Sequence, residues 1–129
     1  VFSRRLKDLL SLNPDFSRRD VELLKWGRHF RLSENAKVVV GRNQKENEVI
    51  SSLRKKADTM FRVDSFPGPT VLATRNPSME GIELAAAITV AYSDTPSDQS
   101  ESVRVTRGCN DWSVLARKRG KSDFYRFMI

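Results

Sequence analysis

Apolar and polar residues alternate along this chain with two periods, which predicts a domain built from both helices and strands. Four apolar residues share one face of a predicted helix over residues 2–10, with basic residues on the other face: Phe2, Leu6, Leu9 and Leu10. A second short helix follows Ser17, which has Asp20 three residues later as in a capping box, and it ends at Gly27. We expect these helices to form a linker segment over residues 1–27, followed by one domain over residues 28–129.

Short, largely apolar stretches predict the first strands of a sheet, over residues 30–32, 36–40, 60–63 and 70–74, and residues 60–63 alternate apolar and polar side chains. The first two flank Ser33-Glu34-Asn35, whose residue types favour a hairpin turn. Pro67-Gly68-Pro69 precedes the fourth stretch and predicts a loop there. The hairpin indicates antiparallel pairing.

Two longer helices are predicted between and after these strands. Asn43, with Glu46 three residues later, begins a helix that we expect to run to residue 57, so that Lys55 and Lys56 crowd its last turn. Cations there suit the helix dipole as well as a phosphate. Asn76-Pro77-Ser78 then breaks the chain and caps a helix over residues 79–93. That helix is apolar nearly all round and contains three consecutive alanines, so we expect it to be buried close to the sheet.

The rest of the chain predicts a polar loop over residues 94–101 and a strand over 102–106. Residues 114–116 and 124–129 are weaker strand candidates, separated by the basic tract 117–121. The interleaved elements predict an α+β fold: a single compact domain with a mixed, mainly antiparallel sheet packed against the alanine-rich helix.

Charge and composition narrow the class of protein. The 129 residues carry a net charge of +7, and 15 of the 23 basic residues are arginine, which favours contacts with phosphate. Residues 65–103 are the exception, with Arg75 alone against five acidic residues. One cysteine and one histidine exclude an internal disulfide and a zinc pattern, which suits the cytoplasm. The longest apolar run is too short to span a membrane. Because the chain begins at Val1, we expect it to be a domain of a longer protein.

The chemistry-bearing residues favour binding over catalysis. His29, the only histidine, is flanked by Arg28 and Phe30, so a structural or RNA-facing imidazole is expected rather than a general base. Gly41-Arg42-Asn43 lies between a strand and a helix start, where backbone N–H groups can bind an anion; a glycine turn with a solvated arginine is the alternative. We expect Asp58 to cap a turn and Asp64 to form a salt bridge. Neither a metal site nor a cofactor is predicted, and the fragment itself is not expected to be an enzyme.

The stretch from Trp26 to Glu48 resembles the RNA-binding domain of the NFACT family, which acts in ribosome quality control. The resemblance covers roughly residues 23–107 and continues in three further segments, 56–61, 66–69 and 85–93. The family pattern has histidines where this chain has Arg62 and Pro69-Thr70. This departure favours the smaller variant fused to tRNA-thiolation-type (PP-loop) proteins, and no match is found for the tail after Arg107.

The resemblance implies an RNA-binding accessory domain that binds tRNA by its backbone and shape and presents it to a tRNA-modifying catalytic domain elsewhere in the parent protein. Phe66, in an apparent loop, is the best candidate for stacking on a base. The complete set of predicted RNA-binding residues is Arg28, Arg31, Arg42, Asn43, Lys55, Lys56 and Phe66. The alternative is a protein-interaction module that docks on the parent's catalytic domain or on a ribosome-like particle, which the acidic and apolar residues 65–101 favour.

Overall fold

Helices and strands interleave in the computed structural model, which describes residues 2–75 and 77–129. The helices are α1 (Phe2–Leu12), α2 (Arg18–Leu23), α3 (Gln44–Ser52), α4 (Met79–Ala91) and a terminal 3₁₀ helix (Lys121–Phe127). The strands are β1 (Arg28–Ser33), β2 (Ala36–Val40), β3 (Thr59–Val63), β4 (Val71–Thr74), β5 (Ser100–Arg107) and β6 (Asn110–Arg117). None of the described helices is long and apolar enough to cross a membrane.

The strands form one six-stranded sheet in the order β1-β2-β4-β3-β5-β6. Every strand pair in the described residues is antiparallel, which confirms the α+β class and makes the sheet fully antiparallel rather than mixed. The register aligns Phe30 with Val38, Val38 with Ala73, and Phe61 with both Val71 and Val105. These side chains form the main core on one face of the sheet.

The alanine-rich helix α4 covers that face, as its sequence predicts. Ala85 and Ala86 are fully buried, because small side chains let the helix axis approach the strands. The Ser78 hydroxyl accepts a hydrogen bond from the Gly81 N–H at 3.2 Å and caps the helix. Asn76, also placed in this predicted break, lies outside the described residues. Helix α4 ends at Ala91, two residues earlier than predicted.

A smaller apolar cluster lies on the opposite face of the sheet. Val39 and Leu72 point away from α4 and pack with Leu23 of α2 and Ile50 of α3. The central strands β2 and β4 are therefore covered on both sides, which explains why all five residues of β2 are buried. A strand that is covered on both faces does not alternate apolar and polar residues in its sequence.

The apolar face of α1 is only partly buried, and one residue of the predicted polar face is buried as well. Arg5 is buried, and its guanidinium donates to the carbonyl oxygens of Leu24 at 2.9 Å and Gly27 at 3.0 Å. Of the four apolar residues on the predicted face, Leu9 is buried and Leu6 is half-buried, while Phe2 and Leu10 are exposed by 43% and 51%. The carbonyls that follow α2 need hydrogen-bond donors, and an arginine on α1 supplies them.

Helix α3 ends at Ser52, five residues before the predicted end. The chain turns here because the Asp58 carboxylate accepts a hydrogen bond from the Lys55 N–H at 2.7 Å and pairs with Arg19. This confirms the turn-capping role of Asp58. It also places Lys55 in a turn rather than in the last turn of a helix.

The C-terminal strand predicted over residues 124–129 is wrong. Its first four residues belong to the terminal 3₁₀ helix, and one isolated bridge joins Met128 to Phe30. The fully buried Phe124 holds this segment against the main core. The weak strand candidate at 114–116 is instead the full-length β6, which pairs with β5 over eight residues through a tight turn at Gly108, with φ +58°.

Candidate nucleic-acid interface

A cleft of about 320 Å³ opens at one end of the sheet. The strand register places Arg28 beside Val40 and Val40 beside Val71, so the start of β1, the end of β2 and the start of β4 meet there. Loop 41–43, loop 67–69, Tyr92 at the end of α4, and Lys121 complete the lining. Two segments that stand out in the sequence, 26–48 and 66–69, therefore converge in space.

Close backbone packing fixes the shape of the cleft at Gly41. Its N–H donates to the Thr70 carbonyl oxygen at 3.0 Å, and Asn47 Oδ1 accepts a hydrogen bond from the Thr70 N–H at 3.0 Å. A Cβ atom at Gly41 would overlap Asn47 Oδ1. Glycine is therefore required where the chain passes between β4 and α3.

Arg42 is not free to close on an anion with its whole guanidinium. Its Nε and Nη2 atoms donate to the two carboxylate oxygens of Glu46 at 2.9 and 2.7 Å. This bidentate pair lowers the pKa of the buried Glu46 carboxyl to about 2. Much of the charge of Arg42 is therefore balanced by its own helix, although its side chain still lines the cleft.

Asn43 has the structural role that its capping-box pattern predicts. Its Oδ1 atom accepts a hydrogen bond from the Glu46 N–H at 2.9 Å and caps α3. The Nδ2 amino group has no partner within the described residues, and the side chain is exposed at the cleft. One end of the amide thus stabilises the fold, and the other remains available to a ligand.

Tyr92 holds two cations at the cleft. The Arg28 Cζ atom lies 5.2 Å from the centroid of its ring, and the Lys121 Nζ atom lies 5.0 Å from it. Phe30 packs against Tyr92 in an edge-on contact at 5.9 Å and orients the ring. Within the described residues, neither cation lies within 4 Å of a carboxylate. The cleft therefore has two oriented positive charges that form no ion pair with any described residue.

The remaining predicted site residues lie elsewhere. Arg31 pairs with Asp8 of α1. Lys55 and Lys56 precede the start of β3, at the opposite end of the sheet, where the Lys55 Nζ atom donates to the Ser17 hydroxyl at 2.9 Å. Phe66 lies in the loop between β3 and β4, as predicted, but it is partly buried against the main core rather than exposed. Of the predicted RNA-binding residues, three line the cleft: Arg28, Arg42 and Asn43. The other four do not.

Of the two roles expected for His29, structural or RNA-facing, the structure shows the structural one. It is fully buried, and its Nε2 atom lies 2.9 Å from the Trp26 carbonyl oxygen and 3.1 Å from that of Leu23. Burial lowers its pKa to about 3, so the ring is neutral at physiological pH. Its contacts are with the backbone that precedes β1, and it does not line the cleft.

Sequence reasoning missed Tyr92 and Lys121. Both were visible in the sequence, one directly after the alanine-rich helix and the other at the end of the basic tract, but nothing local connects them. Among the described residues, no group of three or more His, Cys, Asp or Glu side chains is placed to hold a metal ion.

Two cations without an ion-pair partner in an open cleft of an antiparallel α+β domain are typical of a binding module for an anionic ligand. The family described as "NFACT protein RNA binding domain" matches residues 27–123, which is most of the chain. The chain therefore belongs to the NFACT RNA-binding domain family.

One solved structure with the same fold is that of the C-terminal of the fibronectin/fibrinogen-binding protein from Streptococcus suis. The match has a TM-score of 0.66 at 19% sequence identity and covers 80% of this chain. This chain spans about half of that structure, with 49% covered. No curated protein matches this sequence.

Proposed function

We propose that this domain binds RNA through the cleft, with Arg28 and Lys121 in contact with backbone phosphates. The observation that carries this proposal is the pair of cations on the Tyr92 ring without a carboxylate partner. A cation held in place by an aromatic ring loses little conformational freedom when it binds a phosphate. The family's description as an RNA-binding domain supports the same ligand.

We further propose that the RNA is tRNA. The domain would present it to a tRNA-modifying, thiolation-type catalytic domain elsewhere in the parent protein. In this form, residues 1–27 link the two domains, and the protein works in the cytoplasm, where the exposed thiol of Cys109 stays reduced. Arg42 and Asn43 add contacts at the cleft. Lys55 and Lys56 add a separate contact at the far end of the sheet.

The salt dependence of binding tests this proposal. The domain is expected to bind tRNA more tightly than single-stranded DNA of equal length. The slope of log K against log salt should be roughly −3 to −5 if four to five phosphates are contacted. Arg28→Ala and Lys121→Ala should each weaken binding and reduce the slope by about one. The control Arg75→Ala changes an exposed arginine at the other end of the sheet and should have little effect.

Two results would contradict the proposal. One is the absence of measurable binding to tRNA at low salt. The other is unaltered binding when Arg28 and Lys121 are both replaced while the fold is intact.

A protein-interaction module is the second candidate function. The surface of the N-terminal helices favours it, because Phe2, Leu10 and Phe16 are exposed by 43%, 51% and 39%. Exposed large apolar side chains can mark a docking surface where they form one patch. If the salt experiment shows no binding of RNA, this surface is the next one to test.

A further inference from the structure

The side-chain amides at the cleft have a fixed orientation. A backbone N–H can only donate, so the atom that accepts from it must be the amide oxygen, and the nitrogen must face the other way. Asn43 Oδ1 accepts from the Glu46 N–H, and Asn47 Oδ1 accepts from the Thr70 N–H. Both residues line the cleft, where their Nδ2 amino groups have no partner in the described part of the chain, and that of Asn47 is not buried. The two amides therefore offer donors to a ligand.

A carboxylate lines the same cleft. Asp94 is exposed, its backbone N–H donates to the Pro67 carbonyl oxygen at 2.8 Å, and its side chain forms no ion pair with any described residue. A negative charge in the same cleft as Arg28 and Lys121 weakens the attraction for phosphate. The Asp94 carboxylate can still contribute to RNA binding if it accepts a hydrogen bond from a base.

Fixed amide donors together with a carboxylate acceptor match one class of base edge. Uracil and guanine both present a ring N–H beside a carbonyl oxygen, so the N–H donates to a carboxylate and the oxygen accepts from an amide. With the base held in the same orientation by the contacts to its phosphates, cytosine and adenine turn an amino donor toward the amides and a bare ring nitrogen toward the carboxylate, so that donor meets donor and acceptor meets acceptor. A cleft of about 320 Å³ lies at the lower end of the range for small-ligand pockets.

We propose that the cleft recognises a keto base, uracil or guanine, in a single-stranded segment of RNA. Asp94 accepts from the ring N–H, the amino groups of Asn43 and Asn47 donate to the carbonyl oxygen, and Arg28 and Lys121 hold the adjacent phosphates. This inference rests on the proposed RNA-binding function and adds a preference among bases to it.

Ten-nucleotide U10 and C10 RNAs test the preference, because they have equal length and charge and differ only in the edge of the base. Their dissociation constants are measured by fluorescence polarisation at low salt. We expect U10 to bind about five- to tenfold more tightly than C10, the lower end of what a two-bond base contact provides.

Two variants assign the preference to named groups. Asp94→Ala should bring the ratio of the two dissociation constants close to one. The matched control Glu80→Ala removes an exposed carboxylate at the other end of α4 and should leave the ratio unchanged. Asn43→Ser should lower the ratio, since serine retains the helix cap but lacks the amino donor.

Several outcomes would overturn the inference while the RNA-binding proposal stands. These are equal affinity for U10 and C10, binding of tRNA but of neither 10-mer, and an Asp94→Ala variant that binds both 10-mers more tightly by the same factor. The last result would mean that Asp94 only repels phosphate. Failure to bind tRNA as well as both 10-mers would instead refute the proposed function.

Discussion

Single residues in this domain are placed by hydrogen-bond requirements that sequence position does not reveal. Arg5 is an example, because a basic residue on an amphipathic helix is normally expected to face solvent, yet here it is buried beneath carbonyl groups that need donors. His29 is another. Both carbonyl oxygens near its Nε2 atom can only accept, so Nε2 carries the proton, and Nδ1 is buried without a partner. Protonation of Nδ1 would bury an unpaired charge.

The stability of the domain should therefore depend on pH through His29. Its folded pKa of about 3 lies below the ordinary value of 6.5, so the unfolded chain binds more protons between these values and stability falls as the pH is lowered. We expect the free energy of unfolding to decrease by about 2 kcal/mol from pH 7 to pH 5, measured by urea denaturation. His29→Gln should flatten this slope whatever its own effect on stability, since the chain has no other histidine. An unchanged slope would refute the assignment.

At the scale of elements, caps and close contacts decide where the helices begin and end. Helix α3 begins where the sequence predicts, because Asn43 and Glu46 interact locally. It ends earlier than predicted, because Asp58 and Arg19 hold the following turn, and Arg19 is distant in the sequence. In α4, the Lys118 Nζ atom donates to the carbonyl oxygens of Val90, Ala91 and Ser93 at 2.6–3.1 Å. A lysine from another part of the chain thus stabilises the C-terminus of this helix.

Replacement of Asn43 separates its role in the fold from its role at the cleft. Asn43→Ala should lower the free energy of unfolding by about 1 kcal/mol, because the Glu46 N–H loses its acceptor. Asn43→Ser should retain most of that stability. Chemical denaturation of both variants checks this. Equal stability of the alanine variant and the unmodified protein would show that the cap contributes nothing.

At the scale of the whole molecule, the predicted RNA-binding residues divide between the two ends of the sheet. Arg28, Arg42 and Asn43 lie at the cleft, whereas Lys55 and Lys56 precede the start of β3, next to the end of β5. The five residues of β3 span about 17 Å. A folded RNA is large enough to contact both ends.

A double variant, Lys55→Ala with Lys56→Ala, tests whether the RNA footprint extends this far. If tRNA contacts both ends, its affinity should fall and the slope of log K against log salt should decrease by up to about two. Arg4→Ala with Lys7→Ala, which removes two exposed cations from α1, is the matched control. If tRNA binding is the same in both variants and in the unmodified protein, the footprint is confined to the cleft.

Several features follow from the amino-acid sequence alone: the α+β class, the hairpin, the starts of α3 and α4, and the burial of the alanine-rich helix. These features rest on interactions between residues a few positions apart, or on the periodicity of apolar residues. Other features depend on how the chain folds: the orientation of α1, the end of α3, the 3₁₀ conformation of the C-terminus, and the contacts of Arg28 and Lys121 with Tyr92. Each of these depends on partners 19 or more positions apart, and no local pattern records which distant carbonyl, carboxylate or ring a cation will contact.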